Sequence, residues 1–460
     1  MKKIITLAVL FAVTLTSYSQ SLGYQDLALL FSQDDLNGTA RFNAMGGAFG
    51  ALGGDISAIN VNPAGLAIFN NSAFTASFNT RNSDITATYF DNAVNSQDQF
   101  FNLAQAGAVL VFDSSRKSDW TKFAIGFNYR LTKDFRDSFS AIGNSGVATF
   151  RDFPLDNNVP TIDYNVAEEQ QFFNNYNGDL TEFNLAFSGV HLNKFYLGGG
   201  LNFFNLNFSQ QATLVEFNND GNGNTLDANL YQENFTNGSG VSLNAGFIYK
   251  VSKNFRFGVA YETPRWFTEV IEDSNIVDND GFQGDTEIRV SNSPVIYDNI
   301  TGNNFFSNSF IYRFKTPSKL TSSAAFIFGK NGLLSLDYVY RNFNNIRLSN
   351  DDFSGENDFF QNELRNTHSF NLGTEWRLDR FSIRGGYRLE QSPDILALDT
   401  DNLQAYSFGG GYNFGNFKLD FAYSNNNRTA PYNFYPGFNV ASANLNIDNR
   451  VFTASVTISL

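Results

Sequence analysis

The residues that could carry out acid–base or nucleophilic chemistry are few and widely separated. The 460 residues include no cysteine and only two histidines, His191 and His368. Nucleophilic catalysis needs a nucleophile and a base held together, and no motif supplies that pair here. The run at 218–224 departs from a calcium loop, because Thr225 and Tyr231 stand where glycine and glutamate are required. We therefore predict no catalytic residues, no metal site and no cofactor.

Polar and charged residues instead alternate with large apolar residues in many segments of the chain. Between 381 and 390, large apolar residues alternate with Arg384, Arg388 and small polar residues. A period of two is typical of a β-strand with two different faces. The apolar face is expected to meet lipid, because a charge at the bilayer midplane costs about 2–4 kcal/mol. The polar face then lines a lumen, where we place Arg130, Glu375, Arg377, Arg384 and Arg388. Two readings of this lining stay open: it holds a plug and receives a carboxylate, or it is simply solvated.

Turns and aromatic residues predict the number of strands. The 51 Phe and 20 Tyr are spread over many alternating segments, which is typical of a transmembrane β-barrel rather than a soluble sandwich or propeller. Six short polar turns alternate with seven longer loops rich in Asn, Asp and Gly, so fourteen antiparallel strands are expected in 72–460. The turns lie at 113–120, 192–194, 252–254, 329–331, 379–380 and 415–416. The loops lie at 83–101, 143–178, 214–234, 275–305, 349–362, 392–402 and 428–443.

Two prolines fall inside segments that otherwise read as strands. Pro264 and Pro317 cannot donate to a ladder, so we predict that the strands bend there. Counting 308–328 as two strands would give fifteen, which breaks the even number expected of such barrels. We therefore count it as one bent strand.

The start of the chain indicates export. Lys2 and Lys3 precede an apolar run and a small-residue site near Ser19, which predicts a signal peptide over 1–19. The net charge of −14 argues against nucleic acid as a partner. These features predict a bacterial outer-membrane protein, surrounded by outer-membrane lipid and acting as a monomer.

A glycine-rich stretch separates the export signal from the first strand. Within 37–69, Gly46, Gly47 and three further glycines weaken any regular element, while ten large apolar residues need cover. Asn62-Pro63-Ala64-Gly65 has the chemistry of a turn. We predict that 20–71 is a compact plug inside the barrel, with Arg41, Gly46, Gly47 and the turn Asn62, Pro63, Ala64 and Gly65 as its gating residues.

This stretch resembles a known family. Ala40-Arg41, Met45-Gly46-Gly47-Ala48-Phe49, Asp55-x-Ser57-Ala58 and Asn62-Pro63-Ala64-Gly65-Leu66 are similar in order and spacing to the N-terminal hatch of FadL/TodX-type outer-membrane transporters. The broken strands at Tyr261-x-Thr263-Pro264 and Thr316-Pro317 also resemble that family. The alternating C-terminus resembles the signal that the barrel-insertion machinery reads.

The resemblance implies passive uptake of a hydrophobic small molecule, a long-chain fatty acid or a hydrocarbon. It also implies that the hatch gates the path and that the ligand leaves sideways into the bilayer. Two alternatives stay open: an adhesive or structural barrel that binds a partner through its long loops, and a general porin. A permanent plug argues against the porin but not against the adhesive barrel.

Overall fold

The computed structural model describes residues 23–114, 118–154, 158–274, 285–298, 308–435 and 440–460, so the predicted signal peptide at 1–19 lies outside them. The strands are β1 Ala73–Tyr89, β2 Asn92–Asp113, β3 Trp120–Asp134, β4 Asp137–Gly143, β5 Asp152–Phe153, β6 Ile162–Asp163, β7 Val166–His191, β8 Phe195–Asn219, β9 Thr225–Lys250, β10 Phe255–Glu262, β11 Trp266–Ser274, β12 Asp285–Val290, β13 Ile296–Asp298, β14 Asn308–Lys315, β15 Lys319–Phe328, β16 Gly332–Arg341, β17 Arg347–Ser349, β18 Thr367–Leu378, β19 Phe381–Glu390, β20 Leu403–Asn413, β21 Phe417–Tyr432 and β22 Ala443–Ser459. Helices cover Tyr24–Phe31, Ala40–Ala44 and Ser354–Asn362, and 3-10 helices cover Ile56–Asn60, Pro63–Ile68, Phe343–Asn345 and Asp399–Asp401.

One antiparallel sheet closes on itself. β1 pairs with β22 along almost its whole length, from Ala73 opposite Ser459 to Thr88 opposite Asn444. Fourteen strands form the wall when β3 with β4, β10 with β11 and β14 with β15 each count as one interrupted strand. The predicted strand number and the six short turns are therefore confirmed. Closure pairs the first wall strand with the last, so neither of them is a free edge, as a lipid environment favours.

The two faces of the strands differ as the period of two predicts. On β21, Phe421 points outward and is 48% exposed, whereas Asp420 points into the lumen and is 6% exposed. Phe127, Leu185 and Leu243 continue the apolar outer surface on other strands. This outer belt is the surface that a transmembrane barrel presents to lipid. None of the helices in the described parts of the chain is long and apolar enough to cross a membrane.

The loop predicted at 83–101 is wrong in its extent. β1 and β2 continue as a paired ladder up to Tyr89 opposite Asn92, with a two-residue turn between them. Polar side chains bond across this ladder, for example Asn95 Nδ2 to Thr86 Oγ1 at 3.0 Å. The outward face is mostly polar here, whereas Ile85, Ala87 and Tyr89 of β1 are buried, so the outward composition is that of a loop although the backbone is a hairpin.

The same error affects other loops at this end of the barrel, which we call the long-loop end. β8 and β9 leave only 220–224 between them, so most of the predicted loop 214–234 is strand. β7 and β21 likewise extend into the predicted loops 143–178 and 428–443. Much of the predicted loop 275–305 lies outside the described residues.

Candidate functional site

The N-terminal segment, residues 23–72, is packed against lumen-facing side chains around the barrel and is shaped by side-chain caps. Three of its short helices begin at Thr39, Asp55 and Asn62, whose side chains each accept a backbone N–H. Such caps satisfy donors that would otherwise be buried without partners. Thr39 Oγ1 also donates to the Asp55 carboxylate at 2.9 Å, so two of the caps hold each other.

Arg41 joins this segment to the barrel wall. Its Nε donates to Glu375 Oε2 at 2.7 Å, and Glu375 is 1% exposed. Glu375 also pairs with Arg377 at 2.6 Å and with Arg384 at 2.8 Å, and Arg384 continues to Asp420 at 2.6 Å. The structure thus gathers Arg41 and three of the predicted lumen residues into one ion-pair network.

The other two predicted lumen residues are paired in the same way. Arg130 Nη2 lies 2.6 Å from Glu182 Oε2, while Glu182 Oε1 accepts a hydrogen bond from Asn60 Nδ2 at 2.6 Å. Arg388 pairs with Glu390. Each of these arginines has an internal carboxylate partner, as the cost of burying an unpaired charge demands.

Asn62 bonds both its own turn and the wall. Its Oδ1 accepts from the Ala64 N–H at 3.1 Å, and its Nδ2 donates to Gly50 O at 2.8 Å and Phe247 O at 3.0 Å. The side chain is therefore a cap and a docking contact at once.

The rest of this turn is tightly enclosed. Pro63 begins the 3-10 helix Pro63–Ile68, where its missing N–H costs nothing. Gly65 packs directly on the backbone of Gly53, and Ser188 Oγ of the wall donates to Ala64 O at 3.1 Å. Every residue of the predicted turn is buried.

Glycines in the N-terminal segment and in the barrel wall allow the two backbones to lie close together. Gly46 and Gly47 have φ values of +60° and +75°, a conformation that favours glycine. Opposite Gly46, a Cβ added to Gly386 of the wall would collide with the Gly46 backbone. Eight inward-facing wall glycines contact the segment in this way: Gly107, Gly126, Gly198, Gly246, Gly258, Gly373, Gly386 and Gly409.

The two prolines lie at neighbouring breaks in the wall. Pro264 separates β10 from β11, and Pro317 separates β14 from β15. The breaks are tied together, because Arg265 N donates to Thr316 Oγ1 at 2.9 Å and Thr316 N donates to Arg265 O at 3.1 Å. The sheet pairing resumes on both sides of the two breaks, so the wall continues past them.

A cavity of about 380 Å³ lies between the N-terminal segment and the long-loop end. Its apolar walls come from the helix Tyr24–Phe31 and from several strands and loops. They include Leu30, Ile85, Phe139, Tyr176, Phe343, Phe359, Tyr432, Leu445 and Ile447. Charged and amide side chains, among them Asp35, Asp137 and Glu390, also line the cavity, so its surface is apolar only in part.

Three consecutive residues of the segment line this cavity and contact three parts of the wall. Gln33 Oε1 accepts from Arg428 at 3.1 Å, and Asp34 accepts from Arg265 at 2.7 Å and from Arg341 at 2.9 Å. Burial raises the pKa of Asp34, but the two arginines outweigh that effect and hold its pKa well below the usual range. Asp34 is therefore a carboxylate at neutral pH.

Asp35 extends these contacts to β3. Its N–H donates to Thr132 O at 2.8 Å, and its carboxylate accepts from Lys133 Nζ at 2.8 Å and from Asp134 N at 3.1 Å. The segment thereby bonds the backbone of β3 close to the point where that strand ends.

The wall has a discontinuity beside this contact. The β2–β3 ladder stops at Gln105 opposite Arg130. Beyond that point β2 pairs only with β1, while the end of β3 and all of β4 pair only with β7. Among the described residues, no backbone ladder joins β2 92–104 to β3–β4 131–143. We call this gap the β2/β4 seam.

Side chains close the β2/β4 seam. Ser138 donates from N and Oγ to Asp98 Oδ2 at 2.9 and 2.6 Å, and Asn102 Nδ2 donates to Asp134 Oδ2 at 3.0 Å. Asn102 and Asp134 also line the cavity. On the outer surface of β2, Phe101 is 67% exposed, so an apolar surface begins directly beside the seam.

The class of protein follows from these features: a closed fourteen-stranded barrel with an apolar outer belt has the architecture of a bacterial outer-membrane protein. No protein-family model and no curated protein sequence matches the chain.

Solved structures do resemble the chain. A FadL homologue of Pseudomonas aeruginosa is 14% identical, with a TM-score of 0.60 over 93% of this chain and 99% of that one. The toluene transporter TodX of Pseudomonas putida is 13% identical, with a TM-score of 0.55 over 93% of this chain and 100% of that one. The toluene transporter TbuX of Ralstonia pickettii is 14% identical, with a TM-score of 0.50 over 93% and 99%. The chain therefore has the FadL-type fold.

Proposed function

We propose that the protein is a non-enzymatic outer-membrane channel for the passive uptake of hydrophobic small molecules, either long-chain fatty acids or hydrocarbons. The observation that carries the proposal is the partly apolar cavity, which has the packed N-terminal segment as its floor and the β2/β4 seam in its wall. The similarity to a FadL homologue and to toluene transporters supports the same class of ligand. We expect a monomer in outer-membrane lipid, assembled by the barrel-insertion machinery.

In this proposal the N-terminal segment is the hatch that gates the path. It contacts the wall through hydrogen bonds, ion pairs and glycine contacts, and no covalent link holds it because the chain has no cysteine. Each of these polar contacts can be replaced separately by a hydrogen bond to water or to another polar group. The hatch can therefore shift without unfolding the sheet, whose own ladders hold the barrel together.

Lateral exit through the β2/β4 seam is the second part of the proposal. A continuous ladder would have to lose backbone hydrogen bonds in order to open, whereas the seam needs only side chains such as Asn102 and Asp134 to separate. The exposed Phe101 beside it offers an apolar surface to a departing ligand.

Uptake and conductance measurements test the hatch. Deletion of 40–66 should leave a folded barrel, raise the conductance for small ions in planar bilayers and abolish specific uptake of radiolabelled oleate or toluene. Wild-type uptake by the deletion variant, with no new conductance, would contradict the proposal and favour the adhesive barrel.

A crosslink tests the seam. Asp98 and Ser138 are hydrogen-bonded across it, so Asp98→Cys with Ser138→Cys should form a disulfide that lowers uptake until a reductant is added. The control pair is Ser138→Cys with Asn175→Cys, since these residues face each other within the β4–β7 ladder and do not bridge the seam. Equal uptake by the oxidised and reduced seam variant would exclude this exit.

A further inference from the structure

Side-chain oxygens without a hydrogen-bond partner collect on one part of the lumen wall. Six such buried oxygens lie on β15, β16 and β18, which pair side by side. Among the described residues none of the six bonds another group; they belong to Ser323, Ser335, Asp337, Thr367, Ser369 and Asn371. Buried polar atoms in native proteins usually have a partner, so this cluster is a candidate binding site.

Asp337 carries the only charge of the cluster and is 0% exposed. Its Oδ2 accepts the Gly50 N–H at 2.9 Å, whereas its Oδ1 has no hydrogen-bond partner in the described parts of the chain. Other buried wall carboxylates, those of Glu182, Glu375 and Asp420, each lie within 2.7 Å of an arginine nitrogen. No arginine or lysine of the described ranges pairs with Asp337. A buried carboxylate without a positive partner is costly.

Two other buried carboxylates lack a basic partner among the described residues, but neither has such surroundings. Both oxygens of Glu216 are bonded, since Thr149 N donates to Oε1 at 2.7 Å and Tyr435 Oη donates to Oε2 at 2.8 Å. Glu272 has one unpartnered oxygen, but its ladder neighbours Phe310 and Thr236 add no other. Asp337 alone of these three carboxylates lies within a group of unpartnered oxygens.

The strand register brings four of these oxygens together. Ser323 lies opposite Asp337 on β15, and Asn371 lies opposite Asp337 on β18, so the three form one row. Directly opposite residues have Cβ atoms about 4.5–5.5 Å apart. Ser335 precedes Asp337 by two positions and faces the same side of β16. A carboxylate, two hydroxyls and an amide oxygen are the oxygen ligands that hard cations prefer.

The N-terminal segment covers this row from the lumen side. A Cβ added to Gly50 would collide with Ser323 Oγ and lie 3.2 Å from Asp337 Oδ2. Beside the row, a Cβ added to Gly373 of β18 would lie 3.3 Å from the Cβ of Ala48. Residues 48–50 therefore lie directly over the row and keep bulk water away from it.

We propose that Asp337, Ser323, Ser335 and Asn371 bind a monovalent cation, Na⁺, beneath residues 48–50. In the part of the chain that the structure describes, no three acidic or histidine side chains group as metal ligands. One carboxylate with neutral oxygens balances a single positive charge, which selects Na⁺ over Ca²⁺.

The bound ion stabilises the docked segment. It compensates the charge of Asp337, and Asp337 in turn holds the Gly50 N–H. Docking of the segment is therefore linked to the sodium concentration. The inference goes beyond the proposed function, because it holds whatever molecule the barrel transports.

Hydrogen exchange at Gly50 tests the site directly. Full-length protein in phosphatidylcholine nanodiscs is studied at pH 8, where an ordinary carboxyl group is ionised. NaCl is raised while N-methyl-D-glucamine chloride keeps the ionic strength constant, and mass spectrometry follows the peptide that contains Gly50. Exchange in the wild-type protein should slow about tenfold once Na⁺ exceeds its Kd by about tenfold.

Three variants assign the effect to the row. Asp337→Asn keeps an acceptor for the Gly50 N–H but removes the charge, so its exchange should not respond to NaCl. Ser323→Ala removes one neutral ligand and should raise the half-saturating NaCl concentration about tenfold. Thr321→Val is the control and should respond as wild type, because Thr321 faces the lumen on the same strand but its hydroxyl is not one of the unpartnered oxygens.

Three outcomes would overturn the site. The first is wild-type exchange that ignores NaCl and slows on acidification, which would show that a proton neutralises Asp337. The second is a sodium response that survives in Asp337→Asn, which would place the cation elsewhere. The third is a response of Ser323→Ala equal to that of Thr321→Val, and this comparison decides the matter even if Asp337→Asn fails to fold.

Discussion

Arg41 Nε lies 2.7 Å from Glu375 Oε2, and this ion pair links the second residue after the Thr39 cap to a strand more than three hundred positions later. Glu375 pairs with three arginines at once, Arg41 of the N-terminal segment and two of the wall, so Arg41 joins a network of wall residues. The contact shows why the segment stays docked although its glycine content gives it little helical propensity.

Loss of the Glu375 charge should release the segment. Glu375→Gln leaves Arg41 and Arg384 without their shared carboxylate, and breaking a buried pair in this way costs about 3–5 kcal/mol. We expect the N-terminal segment to become sensitive to protease and the conductance to rise. Glu363→Gln, at an exposed outer position, is the control. Wild-type protease resistance in Glu375→Gln would show that the network does not hold the segment.

The glycine contacts predict a matched pair on one strand. Gly386 faces the segment and Gly385 faces outward, where an added Cβ would have room. Gly386→Val should undock the segment at a cost of about 1–3 kcal/mol from overpacking, while Gly385→Val should leave it docked. The measurements are single-channel conductance and the heat-modifiable mobility of the folded barrel. An equal effect of both variants would mean that the wall glycines do not fit the segment.

Asn62 allows its two roles to be separated. Asn62→Asp keeps an acceptor for the Ala64 N–H but loses both donors to Gly50 O and Phe247 O. Asn62→Ala loses the cap as well, which costs about 0.5–2 kcal/mol more. We expect both variants to undock the segment, as shown by proteolysis. If Asn62→Asp resists protease as well as the wild-type protein does, Asn62 acts only as the helix cap and its bonds to Gly50 and Phe247 do not hold the segment.

The outer belt predicts where a charge prevents assembly. Phe421→Arg should reduce the amount of folded barrel, because an arginine facing lipid near the midplane costs about 2–4 kcal/mol. Asn207→Arg, which is also exposed but lies in the polar extension of β8, should assemble normally. An inward-facing residue such as Asn128 would not serve as the control, because its side chain is fully buried and hydrogen-bonded to Gln105 and Asn60. Equal assembly of the two variants would contradict the position of the belt.

Local sequence patterns were sufficient for the barrel faces and the turns. A period of two sends Arg384 and Arg388 inward whatever the rest of the chain does. The hairpin at 83–101 was missed because its outward face is mostly polar, whereas an apolar outward face was the feature by which barrel strands were recognised.

The cavity contacts could not be predicted in the same way. Gln33, Asp34 and Asp35 carry no motif, and their partners lie about one hundred to four hundred positions away. The β2/β4 seam arises because β2 and β4 do not pair with each other. The alternation of apolar and polar residues within a strand does not reveal which strands pair with it. Pro264 and Pro317 lie at interruptions between strands, whereas the interruption between β3 and β4, at Phe135–Arg136, has no comparable sequence signal.

The attachment of the N-terminal segment has a consequence for the order of biogenesis. The N–H of Ala40 donates to Ser455 Oγ at 2.6 Å, and Asn43 Nδ2 donates to Thr453 Oγ1 at 3.0 Å, both on β22. The earliest part of the chain to leave the ribosome thus finds these partners only when the last strand arrives. We expect its apolar, glycine-rich surface to stay undocked until then, so a chain truncated before β22 should remain cleavable at 40–66 after all its other strands have paired.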